Sequence, residues 1–418
     1  MKNNDFKSYA NSFQAVTIPG LERISALLGK LGSPEKKLKF IHIAGTNGKG
    51  SVSANMACIL EDAGLKVGKY ISPNLIRVNE RISISGVDIS DGDLSEILGV
   101  IEPLSVEVER ELGLAPTQFE IWTAAAFLYF AKKNCDVVVL EVGLGGEFDA
   151  TNVIEGNEIA IITRLGIDHT GYLGNTIPEI ARAKAGIIKR KCRTGKVITV
   201  AQDKDALAVI EEKAKKLGSQ VVVATPTPCG VDGMHEAFSI GSIKNIKCGI
   251  SGFHQIENAS LATLAALELG IDEKHIKSGI SRAKNPARFE VIRENPTVIY
   301  DGGHNENGIA ALVSSLKRYL GDVPKTVIFA CMRDKDIKDS LAMLSYSNTD
   351  FIYTTVKDNP RASGAHELYE RASELGYGGA YFDSIKEAYD EALSRGKLTV
   401  ICGSLYLYKD FCEECLDK

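Results

Sequence analysis

The stretch FIHIAGTNGKGS, Phe40 to Ser51, carries an apolar run straight into a loop of small residues that holds one lysine. Gly45, Gly48 and Gly50 let backbone N–H groups turn toward a common point, and Lys49 adds a full positive charge there. Such a nest suits phosphate. The next segment, SVSANMACILEDAG, places Val52, Met56, Ile59 and Ala63 on one helical face and reaches Gly64 where a C′ residue is expected. The unit reads strand, glycine-rich loop, helix. In the pattern G-x-x-x-x-G-K-[ST], Gly48 and Lys49 fit, whereas Ile43 stands at the first glycine and Gly50 displaces the hydroxyl to Ser51. The plain alternative is a glycine turn that packs a helix against a sheet.

At 418 residues with 44% hydrophobic side chains, the chain can fill the cores of two or three domains. A net charge of -5, without a long Lys/Arg run, excludes the electrostatic footprint of a nucleic-acid binder. The nine cysteines are mostly scattered; Cys412 and Cys415 form one C-x-x-C with no second pair to complete a zinc site, and they read as reduced thiols. MKNNDFKSYANSFQ at the start has no apolar signal core, and no apolar run approaches the roughly 20 residues of a membrane span. The expectation is a soluble cytoplasmic protein.

Strand-like and helix-like segments alternate through the first two thirds, as in a layered α/β domain. VGKYIS, DVVVLEVG, IAIIT and KVITVA are continuous apolar runs of the kind found in sheets buried on both faces. QFEIWTAAAFLYFAKK reads as a long helix whose Phe119, Trp122, Ala126 and Tyr129 belong to the core. From about Gly218 to Gly252 the pattern turns to short alternating strands, expected as a small antiparallel appendage. HQIENASLATLAALELG is a helix, and AKNPARFEVIRENPT reads as a linker. A second α/β set follows in VIYDGG, a helix near Gly308 to Leu320, KTVIFA, DFIYTT and LTVICGS. The expected domains are residues 1–284, a linker 285–296, and residues 297–418.

Polar residues stand at several strand ends, where an α/β sheet forms its ligand crevice. DVVVLE ends at Glu141, and RLGIDHTGYLGNT after IAIIT holds Asp168 and His169. A carboxylate and an imidazole there can complete the shell of a magnesium ion whose other ligands are phosphate oxygens and a hydroxyl. Each could equally be structural, Glu141 a solvated carboxylate and His169 a satisfied core histidine. VGLGG invites a dinucleotide reading, but G-x-G-x-x-G would need glycine at Phe148.

AGTNGKGS, SPNLIRVNERI, LEVGLGGEFDATN, GIDHTGYLGNTIPEIARAKAGIIK, HQIENA, NPARFE, DGGHNENG, DKD and GSLYL occur in an order that resembles the folylpolyglutamate and dihydrofolate synthases of the Mur ligase superfamily, over nearly the whole chain. The resemblance implies an α/β fold: a P-loop Mur-ligase-like central domain with a mostly parallel sheet, and a smaller C-terminal α/β domain. It implies ATP and Mg2+ as cofactors, L-glutamate and a folate or dihydropteroate as substrates, and a monomer that binds neither nucleic acid nor membrane.

By the same resemblance Lys49, Glu141, His169 and Lys184 are catalytic. Thr46, Asn47, Gly48, Lys49, Gly50, Ser51, Asn258, Arg288 and Asp301 hold the nucleotide. Phe119, Glu120, Asp149, His304 and Ser404 contact substrate, and Ser51, Ser72, Glu141, His169 and Lys184 surround metal. Lys184 matches the lysine that the family carbamylates. A lysine must lose its proton before it can react with CO2, so its neighbours should lower its pKa. The chain departs from the family pattern at Asn74 for histidine, Glu147 for arginine, Ala183 for glutamate, and NPAR for WPGR. The charge reversal at Glu147 leaves open a Mur-like ligase acting on another carboxylate. A nucleotide-binding regulator without ligation is the third reading, disfavoured because binding alone needs no carbamylated lysine.

Overall fold

A computed structural model describes residues 18–416; the initial stretch without a signal core, residues 1–14, lies outside the described residues. Two compact units result, one of residues 1–228, 238–247 and 257–284, the other of 229–237, 248–256 and 285–418.

The first unit holds strands β1 (Phe40–Ala44), β2 (Val67–Tyr70), β3 (Ile82–Ile84), β4 (Val87–Asp88), β5 (Val137–Glu141), β7 (Ile159–Ile162), β9 (Lys196–Val200) and β10 (Gln220–Ala224), ordered β10-β9-β7-β1-β5-β2-β3-β4. A separate two-stranded sheet pairs β6 (Gly156–Asn157) with β8 (Lys191–Cys192). β1 lies between β5 and β7, parallel to both, and neither is its neighbour in the chain. Its five residues are all buried, as the unbroken apolar run implies. Every loop at the carboxyl ends of β1, β5 and β7 therefore opens on the same edge of the sheet, where open α/β sheets take their ligands.

Two differences from the sequence reading stand out. Residues Gln220–Ala224, assigned to the antiparallel appendage, instead pair parallel with β9 and form one edge of the main sheet. Val221, Val222 and Val223 are a continuous apolar run, the signature of a parallel strand. The appendage proper is the three-stranded sheet of β11 (Thr227–Asp232), β12 (His235–Ile240) and β13 (Ile243–Lys247). The second difference is the hairpin β3–β4, which pairs antiparallel with β2 and carries no apolar run long enough to mark it.

The second unit contains a sheet ordered β14-β15-β19-β16-β17-β18, of β14 (Glu290–Glu294), β15 (Thr297–Tyr300), β16 (Lys325–Phe329), β17 (Thr349–Tyr353), β18 (Gly379–Tyr381) and β19 (Leu398–Cys402). All but β14 run parallel to their neighbours. Within the segment read as a linker, Glu290–Glu294 forms a strand, because Val291 and its neighbours complete a hairpin with β15 across Asn295 and Pro296.

The helix after the glycine loop spans Lys49–Asp62, with Gly48 as its N-cap and Gly64 at φ 83° beyond its end. It is buried on nearly every side. Gly279, in the helix Glu273–Arg282, approaches it so closely that a Cβ there would lie 2.4 Å from the Cα of Ile59. Gly279→Ala should therefore push the two helices apart and lower the unfolding free energy by about 1–3 kcal/mol; urea denaturation of the variant against the parent measures it.

Candidate active site

Gly45 leaves β1 with φ 154°, and a Cβ at that position would fall 1.8 Å from the Oγ1 of Thr163 at the end of β7. Only glycine lets the loop run against its neighbouring strand. The loop is pinned further by the N–H groups of Thr46 and Asn47, which both donate to the Arg164 carbonyl at 3.1 and 3.2 Å. The hydroxyl of Thr163 donates to the Asn47 carbonyl at 2.6 Å, and that of Thr46 to the Gly166 carbonyl at 3.1 Å. The amides of Thr46 and Asn47 are thus engaged by protein. The amides of Gly48, Lys49, Gly50 and Ser51 begin the helix, the position at which a helix suits an anion.

Gly48 has φ 91°, and a Cβ there would lie 2.2 Å from the Oδ1 of Asn258. Asn258, buried on the helix Gln255–Glu268, therefore rests directly on the loop. The Lys49 ammonium donates to the Gly45 carbonyl at 3.0 Å, and the amine of Lys184 donates to that same carbonyl at 2.8 Å. Lys184 is 4% exposed. Burial, reinforced by the nearby Lys49 charge and opposed by Asp168 and Asp149, pushes its pKa down to about 7. Its neutral amine is then readily reached near neutral pH.

Lys184 belongs to the helix Ile177–Ala185, which Thr176 and Glu179 start as a capping box. The loop 143–149 lies flat on the end of that helix. A Cβ at Gly146 would meet the Ala183 carbonyl oxygen at 2.8 Å, and one at Gly186 would meet the Glu147 Cα at 2.4 Å. The Glu147 N–H donates to the Ala183 carbonyl at 2.8 Å, and the Asn152 amide donates to the Glu147 and Gly186 carbonyls at 2.9 and 3.2 Å. Of the VGLGG glycines, Gly146 serves this close approach, Gly143 makes room for the Phe119 ring and Gly145 turns at φ 68° against Leu173, which accounts for all three without a dinucleotide.

Glu141 ends β5 opposite Ile43 of β1 and is 4% exposed. Ser51 is buried in the first turn of the Lys49–Asp62 helix. These two hard oxygen donors suit magnesium, which keeps phosphate and water in its shell and needs only one or two protein carboxylates. Among the described residues no three His, Cys, Asp or Glu side chains gather into a metal cage. His169, at φ 52°, caps the short helix Thr170–Leu173 with its side chain about half exposed and its Nε2 3.8 Å from Asp168 Oδ2. Ser72 is half-buried beyond β2 and joined to Pro73 by a cis peptide.

Of the residues assigned to substrate, Phe119 packs its ring where a Cβ on Gly143 would be, 2.5 Å from its Cζ. Glu120 is held inside the fold: one carboxylate oxygen accepts from Arg23 Nε at 3.0 Å and from the Thr117 N–H at 2.6 Å. Asn74 accepts from Arg81 Nε at 2.8 Å.

In the second unit, Asp301 and Ser404 follow the adjacent parallel strands β15 and β19. The Asp301 carboxylate accepts the N–H groups of Phe289 and Gly303, each at 2.8 Å. Arg288 sits between Ala287 and Phe289, both left-handed at φ 57° and 46°. His304 Nδ1 donates to the Gly302 carbonyl at 3.0 Å, and the buried Ser404 accepts the Tyr406 N–H on its hydroxyl at 3.2 Å.

The Mur ligase middle domain matches residues 43–266, and the Mur ligase glutamate ligase domain matches residues 287–405. The chain is 36% identical over 414 residues, 94% of each protein, to the dihydrofolate synthase/folylpolyglutamate synthase of Bacillus subtilis. It superposes with a TM-score of 0.90 on the Mycobacterium tuberculosis folylpolyglutamate synthase complexed with ADP and AMPPCP, at 29% identity, covering 99% of this chain and 98% of that one. Escherichia coli FolC in complex with DHPP and ADP gives a TM-score of 0.86 at 30% identity, covering 98% of this chain and 97% of that one. The chain belongs to the folylpolyglutamate synthase/dihydrofolate synthase family of Mur ligases.

Against the family pattern, the first unit of this synthase-family chain brings Lys49, Lys184 and Asn258 onto one loop. Thr163 and Arg164, which fix that loop, were not singled out from the sequence. Their signal was available: they stand at the end of β7, the strand beside β1. Lys49→Ala should lower ATP turnover by about 10²–10³-fold, the effect of losing one preorganised charge at a phosphoryl group, with stability changed by less than about 1 kcal/mol. Removing the Lys49 charge also favours protonation of Lys184. Amine labelling of Lys184 as a function of pH should then show a midpoint above the parent's value of about 7.

Proposed function

We propose that this chain is an ATP-dependent ligase that joins L-glutamate to a folate through an acyl phosphate. The observation that supports the reading best is the convergence of Lys49 and Lys184 on one loop carbonyl at a helix N-terminus, in a chain of this family. Lys49 there offers a positive charge to anionic oxygens, beside a lysine whose lowered pKa suits it to carbamylation. The acceptor carboxylate attacks the γ-phosphorus of ATP and ADP leaves; the amine of glutamate then attacks the acyl carbon and phosphate leaves.

The chain's own part is to position and to neutralise charge. Lys49 and the amides of Gly48, Gly50 and Ser51 hold the phosphates, with Asn258 setting the loop. Ser51 and Glu141, joined by Ser72 and His169, would hold the Mg2+ that accompanies ATP. When bound, that ion neutralises charge on the phosphate oxygens. Arg288 and Asp301 act toward the nucleotide, and His304 and Ser404 toward glutamate. Phe119 and Asp149 line the acceptor side, whereas the buried ion pair of Glu120 with Arg23 favours a scaffolding role for that carboxylate.

Residues 1–284 are read as the ATP-binding domain, 285–296 as a linker and 297–418 as the glutamate-ligase domain, in a monomer of the cytoplasm. The nine cysteines, none in a disulfide, fit a reducing compartment, and no described helix is long and apolar enough to cross a membrane.

Lys184 is read as a carbamate: its neutral amine attacks CO2 and loses a proton to water, leaving an anion. A pKa lowered to about 7 makes this reaction accessible at neutral pH. Lys184→Ala should lose most ligase activity, and a short carboxylic acid added in solution should restore part of it.

The acceptor is tested by assaying dihydropteroate, tetrahydrofolates and unrelated carboxylic acids with ATP and glutamate. Glutamate-dependent ADP release with a pterin acid is the expected result. Activity only with a non-pterin acid would remove the folate while leaving the ligase. Glu147→Arg, which restores the family's charge, should preserve or raise activity with folates.

A further inference from the structure

His42 lies in the middle of β1, fully buried, three residues before Gly45 and outside every role assigned above. Its Nε2 is 2.9 Å from the hydroxyl of Thr151, which is itself fully buried. That hydroxyl lies 2.5 Å from Asp149 Oδ1, which also accepts the Thr151 N–H at 3.0 Å. Asp149 Oδ2 accepts the Leu144 N–H at 2.8 Å. Both carboxylate oxygens are therefore acceptors, so the single proton of the Thr151 hydroxyl goes to Asp149. The proton in the His42–Thr151 bond must then come from His42. This fixes the imidazole as the neutral tautomer with hydrogen on Nε2. Its Nδ1 has no hydrogen-bond partner among the described residues. Burial, with the Lys189 charge beside it, keeps the ring from protonating.

Asp149 closes the loop 143–149 by tying its end back to Leu144. That loop carries Gly146 and Glu147 against the backbone of Ala183 and Lys184, and Gly143 against the Phe119 ring. It makes none of the hydrogen bonds that hold the Gly45–Ser51 loop. We infer that His42 is a positioning residue, which acts through Thr151 to set the Asp149 carboxylate and with it the acceptor-side loop, while leaving nucleotide binding to the separate set of contacts around Thr163 and Arg164. The inference rests on the reading of Asp149 as facing the acceptor.

A side chain kept only to fill space would be replaceable by any residue of similar volume. The relay instead requires a donor at the Nε2 position, which glutamine supplies and leucine does not. The experiment is steady-state kinetics on full-length His42→Leu, His42→Gln, Thr151→Val and the Leu/Val double variant, with ATP and acceptor varied separately. His42→Leu is expected to raise the acceptor KM about tenfold, the loss of one hydrogen bond to a buried charged network, with the ATP KM within about twofold. His42→Gln should return the acceptor KM most of the way to the parent value. Thr151→Val should resemble His42→Leu, and the double variant should be no worse than Thr151→Val alone. Equal rises in both KM values, a glutamine variant as impaired as the leucine one, or additive losses would overturn the relay.

Nitrogen NMR of the ligand-free parent gives a second readout. A ring protonated on Nε2 supports the relay, and one protonated on Nδ1 overturns it. If no folate is ligated at all, the proposed function fails; the tautomer still decides the relay on its own.

Discussion

Two lysine nitrogens on one carbonyl oxygen is an arrangement that a fold must enforce, since two ammonium groups repel and burial disfavours either charge. At Gly45 the conflict is eased because Lys184, buried beside Lys49, gives up its proton more readily than a free lysine. The geometry exists only because Gly45 can hold φ 154° beside Thr163 and because Gly146 and Gly186 let the loop 143–149 touch the Lys184 helix backbone. A side chain at any of these three positions would have to displace backbone or a buried hydroxyl. Small residues here let the glycine loop meet β7, and the loop 143–149 meet the Lys184 helix, backbone to backbone.

The sheet supplies the frame for these contacts. β1, β5 and β7 are adjacent, parallel and buried on both faces, so their ends are fixed by ladders of backbone hydrogen bonds on each side. The phosphate loop follows β1, Glu141 ends β5, and Thr163 with Arg164 follows β7. Three separate segments thereby reach one edge at a common height. Long-range side-chain support for the loop comes from Thr163 and Lys184, which donate to the Asn47 and Gly45 carbonyls, from Asn258, and from the Arg164–Glu257 ion pair.

What the sequence made legible follows from this division. Strands buried on both faces announce themselves as unbroken apolar runs, so β1, β2, β5, β7 and β9 were readable, as were the glycine loop, its helix and Gly64 beyond it. The strand β10 was assigned to the wrong sheet because its partner, β9, lies across a whole helix in the chain; a run such as VVVA does not carry the identity of its neighbour. The hairpin β3–β4 is short and partly exposed, with Val87 on its surface, and so lacks a periodic signal. Lys49 and Lys184 were found through motifs, but their meeting at a single carbonyl was not, because 139 positions separate Lys184 from Gly45. The same holds for Glu120, whose partner Arg23 lies 97 residues away. Thr46 and Asn47 show a subtler limit: the motif names the loop, yet which of its amides turn outward depends on the Arg164 carbonyl, a partner no local pattern encodes.

The second unit shows how conformational strain can be held where a side chain must point in one direction. Ala287 and Phe289 both occupy the left-handed region, which costs roughly 1–2 kcal/mol for each non-glycine residue, and Arg288 stands between them. The Ala287 N–H is captured by Glu290 at 2.7 Å and the Phe289 N–H by Asp301 at 2.8 Å. Tyr408 in turn donates to the same Glu290 oxygen at 2.9 Å. Burial of Phe289 and of Ala287 locks the turn from beneath. Asp301 thus has a structural duty in addition to any contact with nucleotide: its two oxygens each take one backbone N–H, leaving one lone-pair site on each for another donor. A carboxylate so engaged is fixed in place by the backbone it accepts from, and it clamps the strained turn on either side of Arg288. Backbone held in this way has already met its ordering cost, so the placement of Arg288 rests on the carboxylates of Asp301 and Glu290 as much as on its own side chain.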